Sequence, residues 1–352
     1  MKIAFLHMTM GITSRGSEVV INTIATELAK KHEVVVIQSG KVLPKKYQVK
    51  RVNPLDVSPA VAPSNIFDKI LFRLHLDKES GAVAEYTRSA GQVLSKFDPD
   101  IIVCVNGPLQ LKILQGQTLQ AKLVVFGHAG IGYHDRDNLA AHPDLFISLT
   151  QSAFTWATQK ASARTKVVYI PNPIKIAKSK TIDLQLPAPV ILTVSALSKY
   201  KNVDKVASAI KMLPYPWLLI GDGEDRGEIE SQLSSLANDF RWLRSVDQTE
   251  IHQYYQSADV FCFLPDPQES FGMVYLEAMS AGLPIVASDD PLRRQLIGER
   301  GIYVDPHNED EIVKGIQKAT TLGRIDYSKE LKPFLLNSVI TQIEKEFHDL
   351  IS

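Results

Sequence analysis

The chain has 352 residues, with 39 Lys and Arg, 39 Asp and Glu, and no formal net charge. Hydrophobic residues make up 45% and charged residues 22% of it, a globular composition that excludes collagen-like, coiled-coil and disordered classes. At roughly 150 residues per domain, this length suits two domains. The longest apolar runs, such as 101–105 and 260–264, have the length of strands and are too short to span a bilayer.

The charge is unevenly distributed along the chain. Residues 1–180 hold 23 Lys and Arg against 13 Asp and Glu, whereas residues 181–352 hold 16 against 26. Zero net charge argues against nucleic acid as a partner. The asymmetry predicts either two halves that attract each other or a basic half that faces an anionic surface or substrate.

Two features of the sequence bear on the cellular compartment. The N-terminal MKIAFLH has the pattern of a first strand and lacks the regions of a signal peptide, so we expect a cytoplasmic protein. Cys104 and Cys262 both lie in apolar strand-like runs. They are predicted core residues, and neither a disulfide framework nor a cysteine zinc site is expected.

Short β-branched runs alternate with helical patterns along the chain, which predicts parallel α/β units. The predicted strands are 2–7, 33–37, 101–105, 123–126, 145–149, 167–170, 190–194, 217–220, 260–264, 285–287 and 302–304. A stretch rich in proline and lysine follows Ile170 and predicts a linker. We therefore expect a Rossmann-like domain over 1–172, a linker over 173–188, a second Rossmann-like domain over 189–330 and a helical tail over 331–352.

The segment from Pro267 to Ala287 is the richest in chemically useful residues. Glu269 follows a predicted strand, and the next residues, through Gly272, can cap a helix whose N–H groups and dipole favour an anion such as phosphate. Gly272 permits close approach of the backbone. Glu277 lies one to two turns into the helix, and both glutamates can accept hydrogen bonds from hydroxyl groups. The pattern predicts a site for a phosphorylated, polyhydroxylated ligand.

Glu269 and Glu277, separated by seven residues in ESFGMVYLEAMSAGLPIVAS, resemble the E-x7-E signature of retaining GT-B glycosyltransferases of family 4. The resemblance extends over nearly the whole chain, through PNP near Asn172, GDG at 221–223 and the helical tail. It implies the GT-B architecture, with two Rossmann-like parallel α/β domains facing across a cleft and a C-terminal helix crossing back to the first domain. The alternative is that both glutamates are solvated helix-end residues.

The resemblance also implies an activity and a set of donor contacts. A sugar would be transferred from a UDP- or GDP-sugar with retention at the anomeric carbon, without a metal or other cofactor. Glu277 would hold the ribose hydroxyls, and Glu269 would be a catalytic-site residue beside the donor sugar. The remaining donor contacts in this segment would come from Ser270, Phe271, Gly272 and Met273.

Positive charge is expected after the first strand of the second domain, because the departing diphosphate must be stabilised. The family places an Arg and a Lys there in a G-R-L-x-x-x-K-G stretch. Lys201 matches the Lys, whereas Ala196 replaces the Arg and Ser195 the Gly. The loss of one charge-assisted contact is expected to weaken leaving-group stabilisation by roughly a few kcal/mol unless Lys199 or another basic residue compensates. The alternative for Lys201 is an ordinary surface lysine.

Two candidates lie after strands of the first domain. The loop from Gly11 to Glu18 resembles the family's G-G-x-E loop, with Arg15 in place of the first Gly. Gly16 would offer its amide to phosphate or sugar, and the alternative is that it merely forms a tight turn. Arg15 would supply the positive charge that is missing at Ala196. His128 resembles a histidine that the family places near the donor sugar and acceptor, which makes it a catalytic candidate; a structural histidine is the alternative.

Further donor contacts are expected from loops of the second domain. Gly223 belongs to a G-x-G loop of the family type, and Arg226 stands where the dinucleotide fingerprint requires a third glycine. Arg244 and Ser245 lie in a loop that we expect near the base. Side-chain identity there does not distinguish uridine from guanosine.

Two D-x-D patterns could in principle bind a hard cation. Asp100 of the first pair, with Asp98, is expected to begin a strand. The second pair, Asp135 and Asp137, is expected in a polar loop. We therefore predict no metal site.

Residues 64–80 predict an amphipathic helix. Ile66, Phe67, Ile70, Leu71 and Leu74 would form its apolar side, with Lys69 and Arg73 at the edge. Packing against the core is the favoured interpretation. Peripheral contact with anionic lipid at the inner membrane surface is the alternative.

The acceptor is expected to be a growing glycan, a lipid-linked sugar or a small molecule, and first-domain loops carry no readable code for it. Two other functions remain open. A sugar-nucleotide epimerase would share the two-domain architecture and need no acceptor. A non-catalytic nucleotide-sugar binder or assembly partner would account for Ser195 and Ala196.

Overall fold

A computed structural model describes residues 1–12, 16–55, 65–128, 130–176, 180–233 and 239–352. The chain forms two units, one of residues 1–173 together with 336–352 and the other of residues 174–335. Each unit is built on one parallel sheet with helical connections. Arg15 lies outside the described residues.

The first unit has a seven-stranded parallel sheet in the order β3-β2-β1-β4-β5-β6-β7. Its elements in chain order are β1 (Lys2–Leu6), α1 (Gly16–Leu28), β2 (Glu33–Gln38), β3 (Gln48–Arg51), α2 (Ile66–Arg73), α3 (Lys78–Phe97), β4 (Ile101–Cys104), α4 (Pro108–Gln115), β5 (Lys122–Gly127), α5 (Tyr133–Ala140), β6 (Leu145–Ser148), α6 (Gln151–Lys160) and β7 (Lys166–Tyr169). The central strands β4 and β6 are buried throughout and mostly apolar because helices cover both faces of a parallel sheet.

The second unit has a six-stranded parallel sheet in the order β10-β9-β8-β11-β12-β13. Its elements are β8 (Ile191–Val194), α7 (Val203–Lys211), β9 (Trp217–Ile220), α8 (Arg226–Leu233), β10 (Phe240–Leu243), α9 (Ile251–Ser257), β11 (Val260–Phe263), α10 (Met273–Ser280), β12 (Ile285–Ser288), α11 (Pro291–Ile297), β13 (Ile302–Val304), α12 (Glu309–Ala319) and α13 (Ser328–Leu331). The chain then continues as α14 (Leu336–Ile351), which belongs to the first unit.

The helix α14 packs its apolar stripe into the first unit. Val339, Ile343 and Phe347 are fully buried. On its polar side, Glu344 bonds to Lys31 at 2.9 Å and Glu346 to Lys166 at 2.6 Å. The predicted helical tail is therefore present, and it is fixed by both apolar burial and ion pairs.

The predicted parallel α/β organisation is confirmed, and each of the eleven predicted strands is present. Two strands were missed, β3 and β10. Both lie at the edge of their sheets and are partly exposed, so they lack the apolar run that identified the others. Cys104 and Cys262 are buried core residues, as predicted.

The prediction that the 64–80 segment packs its apolar side against the core is wrong. In the described part, α2 has no buried residue, and α3 begins separately at Lys78. Ile66 is 78% exposed, Phe67 63% and Leu74 61%. The apolar side of α2 therefore faces outward. No helix in the described ranges is both long and apolar enough to cross a bilayer.

Glycines allow two loops of the second unit to pack backbone against backbone. A Cβ on Gly221, whose φ is +136°, would lie 1.8 Å from the Ser195 carbonyl oxygen. A Cβ on Gly223 would lie 2.2 Å from the Leu197 carbonyl oxygen. The amide of Leu197 donates to the Asp222 carbonyl at 3.1 Å, so the loop after β9 supports the loop after β8.

We expect Gly221→Ala to lower the free energy of unfolding by at least about 2 kcal/mol, because the added methyl group meets rigid backbone in a strained conformation. Chemical denaturation measures the change. Gly227→Ala is the matched control, since a Cβ there meets no atom within 4 Å and alanine favours the helix. Equal stability of the two variants would contradict the packing argument.

Candidate functional site

The candidate site of the second unit lies at the point where the strand order of its sheet reverses. Strands β8 and β11 are neighbours, but the chain after β8 builds β9 and β10 on one side, while the chain after β11 builds β12 and β13 on the other. Loops at the carboxyl ends of two such strands diverge and leave a crevice for a ligand. The loop after β8 carries Lys201, and the loop after β11 carries Glu269.

Lys201 and Glu269 form an ion pair between these two loops. Their side chains are only 14% and 12% exposed. The ammonium group of Lys201 also lies over the Tyr200 ring at 4.9 Å and the Phe263 ring at 5.4 Å, which favours a cation at this position. The interpretation of Lys201 as an ordinary surface lysine does not fit this position.

Asn202 fixes the loop that presents Lys201. It is buried and adopts a left-handed conformation with φ +52°. Its side-chain amide donates to the Leu264 carbonyl at 2.9 Å and to Asp266 at 2.8 Å. The Asp266 amide in turn donates to the Tyr200 carbonyl at 2.7 Å. The two loops are therefore joined beside the ion pair and do not depend on it alone.

The helix α10 begins directly after the loop that carries Glu269. Gly272 caps it with φ +87°, a conformation that other residues rarely adopt, and a Cβ there would meet the Tyr275 ring at 2.8 Å. Phe271 is buried, 6.1 Å from the Phe334 ring, while Ser270 and Met273 are partly exposed. No side chain caps the first amides, so the helix dipole favours an anion there.

Glu277 lies on α10 and is partly buried. The Tyr255 hydroxyl donates a hydrogen bond to its Oε2 at 2.8 Å. Burial raises the pKa of the Glu277 carboxyl to about 7, while hydrogen bonds from Tyr255 and Gln248 oppose the shift. The ordinary solvated carboxylate considered as an alternative does not match this environment.

Arg293 supports the Glu269 loop and was missed by sequence reasoning. It is 1% exposed, lies 3.2 Å from Asp290, and its Nη2 donates to the Glu269 carbonyl at 3.4 Å. Nothing in the local sequence distinguishes it from the neighbouring Arg294, which is exposed.

The other donor-site candidates of the second unit show no contact with the Lys201–Glu269 pair among those described. Ser195 is buried and its hydroxyl donates to the Ala196 carbonyl, while Ala196 is exposed. Lys199 is 82% exposed and pairs with Glu228 at 3.6 Å. Gly223 serves the backbone packing described above. In this structure Lys199 therefore does not join Lys201 at the ion pair.

Arg244 and Ser245 follow β10 and are both exposed. The Arg244 guanidinium donates to Glu230 at 2.9 Å and lies 5.6 Å from the centre of the Trp242 ring. Neither residue reaches the Lys201–Glu269 pair in the contacts described. Their assignment to the base stays a prediction.

The first unit has its own polar cluster. It also lies where the strand order of the sheet reverses, between β1 and β4. His128 follows β5, and its Nε2 is buried without a hydrogen-bond partner among the described residues, as is Nε2 of His7. Thr9 donates to Glu18 at 2.8 Å and lies 3.4 Å from His7 Nδ1. Burial lowers the pKa of both imidazoles to about 4, with Glu18 opposing the shift. Both rings are therefore neutral near pH 7.

His7 and Glu18 were not predicted as site residues, although their position around the loop after β1 would have suggested them. Gly16 begins α1, and a Cβ there would meet nothing within 4 Å. The alternative in which a tight turn requires Gly16 thus has no steric support. The Arg15 hypothesis stays a prediction.

The aspartates of the two D-x-D patterns belong to regular elements or their ends. Asp98 ends α3, and Asp100 accepts from the Lys2 amide at 2.7 Å just before β4. Asp135 and Asp137 lie in α5, so the prediction of a polar loop is wrong. Over the ranges described, no cluster of three or more His, Cys, Asp or Glu could hold a metal ion.

Comparison with known proteins finds similarity to glycosyltransferases over part or most of the chain. The family described as glycosyl transferases group 1 matches residues 175–332. An uncharacterized glycosyltransferase of Haemophilus influenzae is 27% identical over 338 residues, 90% of this chain and 89% of that protein. A phosphatidyl-myo-inositol mannosyltransferase of Mycolicibacterium smegmatis is 34% identical over 176 residues, 47% of this chain and 45% of that protein.

A solved structure, Anabaena HepE in complex with UDP-glucose, matches with a TM-score of 0.73 at 20% identity and covers 99% of both chains. The fold is GT-B. The predicted fold class is thereby confirmed, and the family match over 175–332 supports glycosyltransferase activity. The family 4 subtype and the retaining mechanism stay predictions.

The raised pKa of Glu277 predicts a pH-dependent stability. Between its ordinary value of 4.5 and about 7, the folded protein binds more protons at this group than the unfolded chain does. The stability from this group is thus present below pH 4.5 and is lost as the pH rises through 7. We expect Glu277→Gln to match the wild type near pH 4.5 and to exceed its unfolding free energy above pH 7, by up to roughly 3 kcal/mol.

Denaturant unfolding at pH 4.5, 6 and 8 measures this difference. Glu269→Gln is the control, because it removes a carboxylate that Lys201 already neutralises and is expected to bring no gain at pH 8. A Glu277→Gln variant that is no more stable than wild type at pH 8 would show that the carboxyl is not destabilised by its burial.

Proposed function

We propose that the protein is a retaining, metal-independent glycosyltransferase that moves a sugar from a UDP- or GDP-sugar to a glycan, a lipid-linked sugar or a small molecule. The observation that carries this proposal is the arrangement at the carboxyl edge of the second sheet. There a cation, a carboxylate, the open amino end of α10 and the partly buried Glu277 belong to adjoining segments.

This arrangement suits departure of a nucleoside diphosphate. Lys201 and the free amides at the start of α10 would stabilise the negative charge that develops on the diphosphate. When the diphosphate binds, Lys201 can exchange its contact with Glu269 for the phosphate oxygens, and Glu269 then turns its carboxylate to the donor sugar. Glu277 would accept hydrogen bonds from the ribose hydroxyls.

The metal independence and the retention of configuration rest on the resemblance of the E-x7-E segment to family 4. Lys201 and the helix dipole supply positive charge that a metal ion would otherwise provide. The family match over 175–332 and HepE, whose solved complex contains UDP-glucose, support a nucleotide-sugar donor.

The acceptor would be bound by the first unit. Its neutral His7 and His128 imidazoles each have a buried nitrogen without a hydrogen-bond partner among the described residues, and we infer that an acceptor hydroxyl would supply that partner. A neutral imidazole can accept the proton of an attacking hydroxyl, which suits a catalytic role for His128. The mannosyltransferase relative is named for a lipid-linked acceptor, phosphatidyl-myo-inositol, which supports the lipid-linked class.

One observation favours a second candidate, a nucleotide-sugar binder without transfer activity. Position 196, where the family has its Arg, is an exposed alanine. In the described structure, Lys199 is engaged with Glu228 and does not replace that charge. Ala196→Arg tests this directly, because the exposed position accepts a long side chain. Transfer that appears only in Ala196→Arg would support the binder; transfer by the wild type would exclude it.

We expect one nucleoside diphosphate from UDP, GDP, ADP and TDP to raise the melting temperature selectively in metal-free buffer, because a ligand of the native state stabilises it. Calorimetry should then show roughly 10- to 100-fold weaker binding for Lys201→Ala, which loses a charge-assisted contact with the diphosphate. Lys199→Ala is the matched control and should bind within about threefold of wild type.

The activity itself is tested with the matching sugar nucleotide and glycan or lipid-linked acceptors. The anomeric configuration of the product, read by NMR, should equal that of the donor, and a chelator should leave the rate unchanged. Inverted product would exclude the retaining mechanism, and loss of activity in chelator would exclude metal independence. The absence of binding by every nucleotide at millimolar concentration would contradict the proposal as a whole.

We also propose that α2 contacts anionic lipid, so that a cytoplasmic protein would rest on the inner membrane surface. Phe67 and Ile70 are 63% and 48% exposed, and Lys69 and Arg73 accompany them on the same short helix. Apolar side chains flanked by cations are typical of interfacial helices. The excess of positive charge in residues 1–180 is consistent with this partner.

The wild type is expected to sediment with phosphatidylglycerol-containing vesicles more than with phosphatidylcholine vesicles. Replacing Phe67 and Ile70 by serine should weaken this binding at least about tenfold, because each buried apolar side chain contributes roughly 1.5–3 kcal/mol. Leu322→Ser, at an exposed leucine of the second unit, is the control. Equal sedimentation with both vesicle types would exclude the proposal.

A further inference from the structure

Tyr255 is the residue in closest described contact with the Glu277 carboxylate. It lies on α9, one helix before the strand that leads to the Glu269 loop, and its side chain is fully buried. Its hydroxyl donates to Glu277 Oε2 at 2.8 Å, and its ring lies 5.7 Å from that of Phe261. The ring is held by packing, so the hydroxyl has little freedom to leave the carboxylate.

The spacing between the two helices is also fixed. Arg324 donates to carbonyls at the end of α9 and just after it, Gln256 at 2.6 Å and Ala258 at 2.7 Å. The same guanidinium donates to the Ala281 carbonyl at 3.0 Å, at the end of α10. One cation therefore ties together the carboxyl ends of the helices that carry Tyr255 and Glu277, where helix dipoles favour positive charge.

We propose that Tyr255 is a positioning residue for donor binding. Its hydroxyl donates to Oε2 of Glu277 and holds the carboxylate in one orientation, so that the remaining lone pairs of the carboxylate can accept from the paired hydroxyls of a vicinal diol, such as the ribose of a nucleoside diphosphate. The inference rests on the proposed function, because that function supplies the diol. Tyr255 lies outside the E-x7-E segment, so that motif does not identify it.

Tyr255 also acts on the protonation of Glu277. Burial raises the pKa of Glu277, and the hydrogen bond from Tyr255 is the first of two contacts that lower it, the other coming from Gln248. A carboxylate accepts hydrogen bonds from a diol better than the protonated acid does. Removal of the hydroxyl should therefore raise the pKa of Glu277 further and leave less of the ionised form at neutral pH.

The neighbouring elements bring few other charges to this carboxyl. The helices α9, α11 and α13 and the strand β12 pack against α10. Their titratable side chains are His252, Tyr254 and Tyr255 on α9, Arg293 and Arg294 on α11, and Lys329 and Glu330 on α13, with none on β12. Arg293 pairs with Asp290, Arg294 with Asp289 and Glu330 with Arg300. Burial and the two hydrogen bonds therefore govern the titration of Glu277.

The test is Tyr255→Phe, which keeps the ring and removes only the hydroxyl. Carbon-13 NMR of glutamate-labelled protein follows the carboxyl resonance that Glu277→Gln removes. In the wild type we expect a midpoint near pH 7, and in Tyr255→Phe a midpoint about one unit higher, as expected for loss of one hydrogen bond to a charged group. An unchanged midpoint would overturn the proposal, and this readout needs no ligand.

Binding of UDP and GDP is then measured by calorimetry from pH 5.5 to 9. With a one-unit shift, the ionised fraction at pH 7 falls from about one half to about one tenth, so the loss of affinity in Tyr255→Phe should be roughly fivefold larger at pH 7 than at pH 9, where only the loss of orientation remains. Weakening by the same factor at every pH would indicate a packing role only and would overturn the proposal.

Two controls separate this proposal from the function on which it rests. In the Glu277→Gln background, the added Tyr255→Phe change should alter the affinity by the same factor at every pH, because the only titration left near the site is that of the terminal phosphate of the nucleotide. Tyr327→Phe removes another buried hydroxyl, which donates to the Leu283 carbonyl at 3.1 Å, and should leave the Glu277 midpoint unchanged. A wild type that binds neither nucleotide contradicts the proposed function, whereas the NMR midpoint still decides the role of Tyr255.

Discussion

The ion pair between Lys201 and Glu269 is the contact around which the candidate site is built. The two residues are 68 positions apart, and they meet because β8 and β11 are neighbours whose loops diverge at one edge of the sheet. Asn202 joins the same loops through two hydrogen bonds, and Gly221 packs its backbone against Ser195 in the loop after β8. Each charge is neutralised by its partner, which lowers the cost of partly burying both side chains.

The two glutamates of the segment are kept in different electrostatic states. Glu269 faces a cation, whereas Glu277 is partly buried and accepts hydrogen bonds from the neutral donors Tyr255 and Gln248. A carboxyl of the second kind is costly to ionise when its site is empty, and ligand hydroxyls that donate to it recover part of that cost. In the proposed function, such an acceptor would discriminate between a diol and a ligand that lacks one.

The sequence predicted the fold well where burial leaves a simple pattern. The central strands are continuous apolar runs, and α14 repeats its apolar residues four apart. The edge strands β3 (QVKR) and β10 (FRWL) carry charged residues because one side of each is not covered by a neighbouring strand. The outward face of α2 could not be predicted, because an amphipathic pattern has the same form whether its apolar side meets a core or remains exposed.

The candidate site was predictable only where its residues are close in sequence. The spacing of Glu269 and Glu277 and the glycine before α10 are local features, and Lys201 was found through a second local motif. Tyr255 and Arg293 follow no such spacing, because their contacts arise from how α9 and α11 pack around α10.

The same limit applies to the first unit, where His7 and His128 come to one edge of the sheet from loops 121 positions apart. Their low pKa values follow from burial and have no counterpart in the sequence pattern. The polar groups at the two candidate sites therefore differ in charge: the first unit has neutral imidazoles, and the second has a cation paired with a carboxylate. Neutral imidazoles suit hydroxyl groups, whereas a cation that can exchange partners suits a diphosphate.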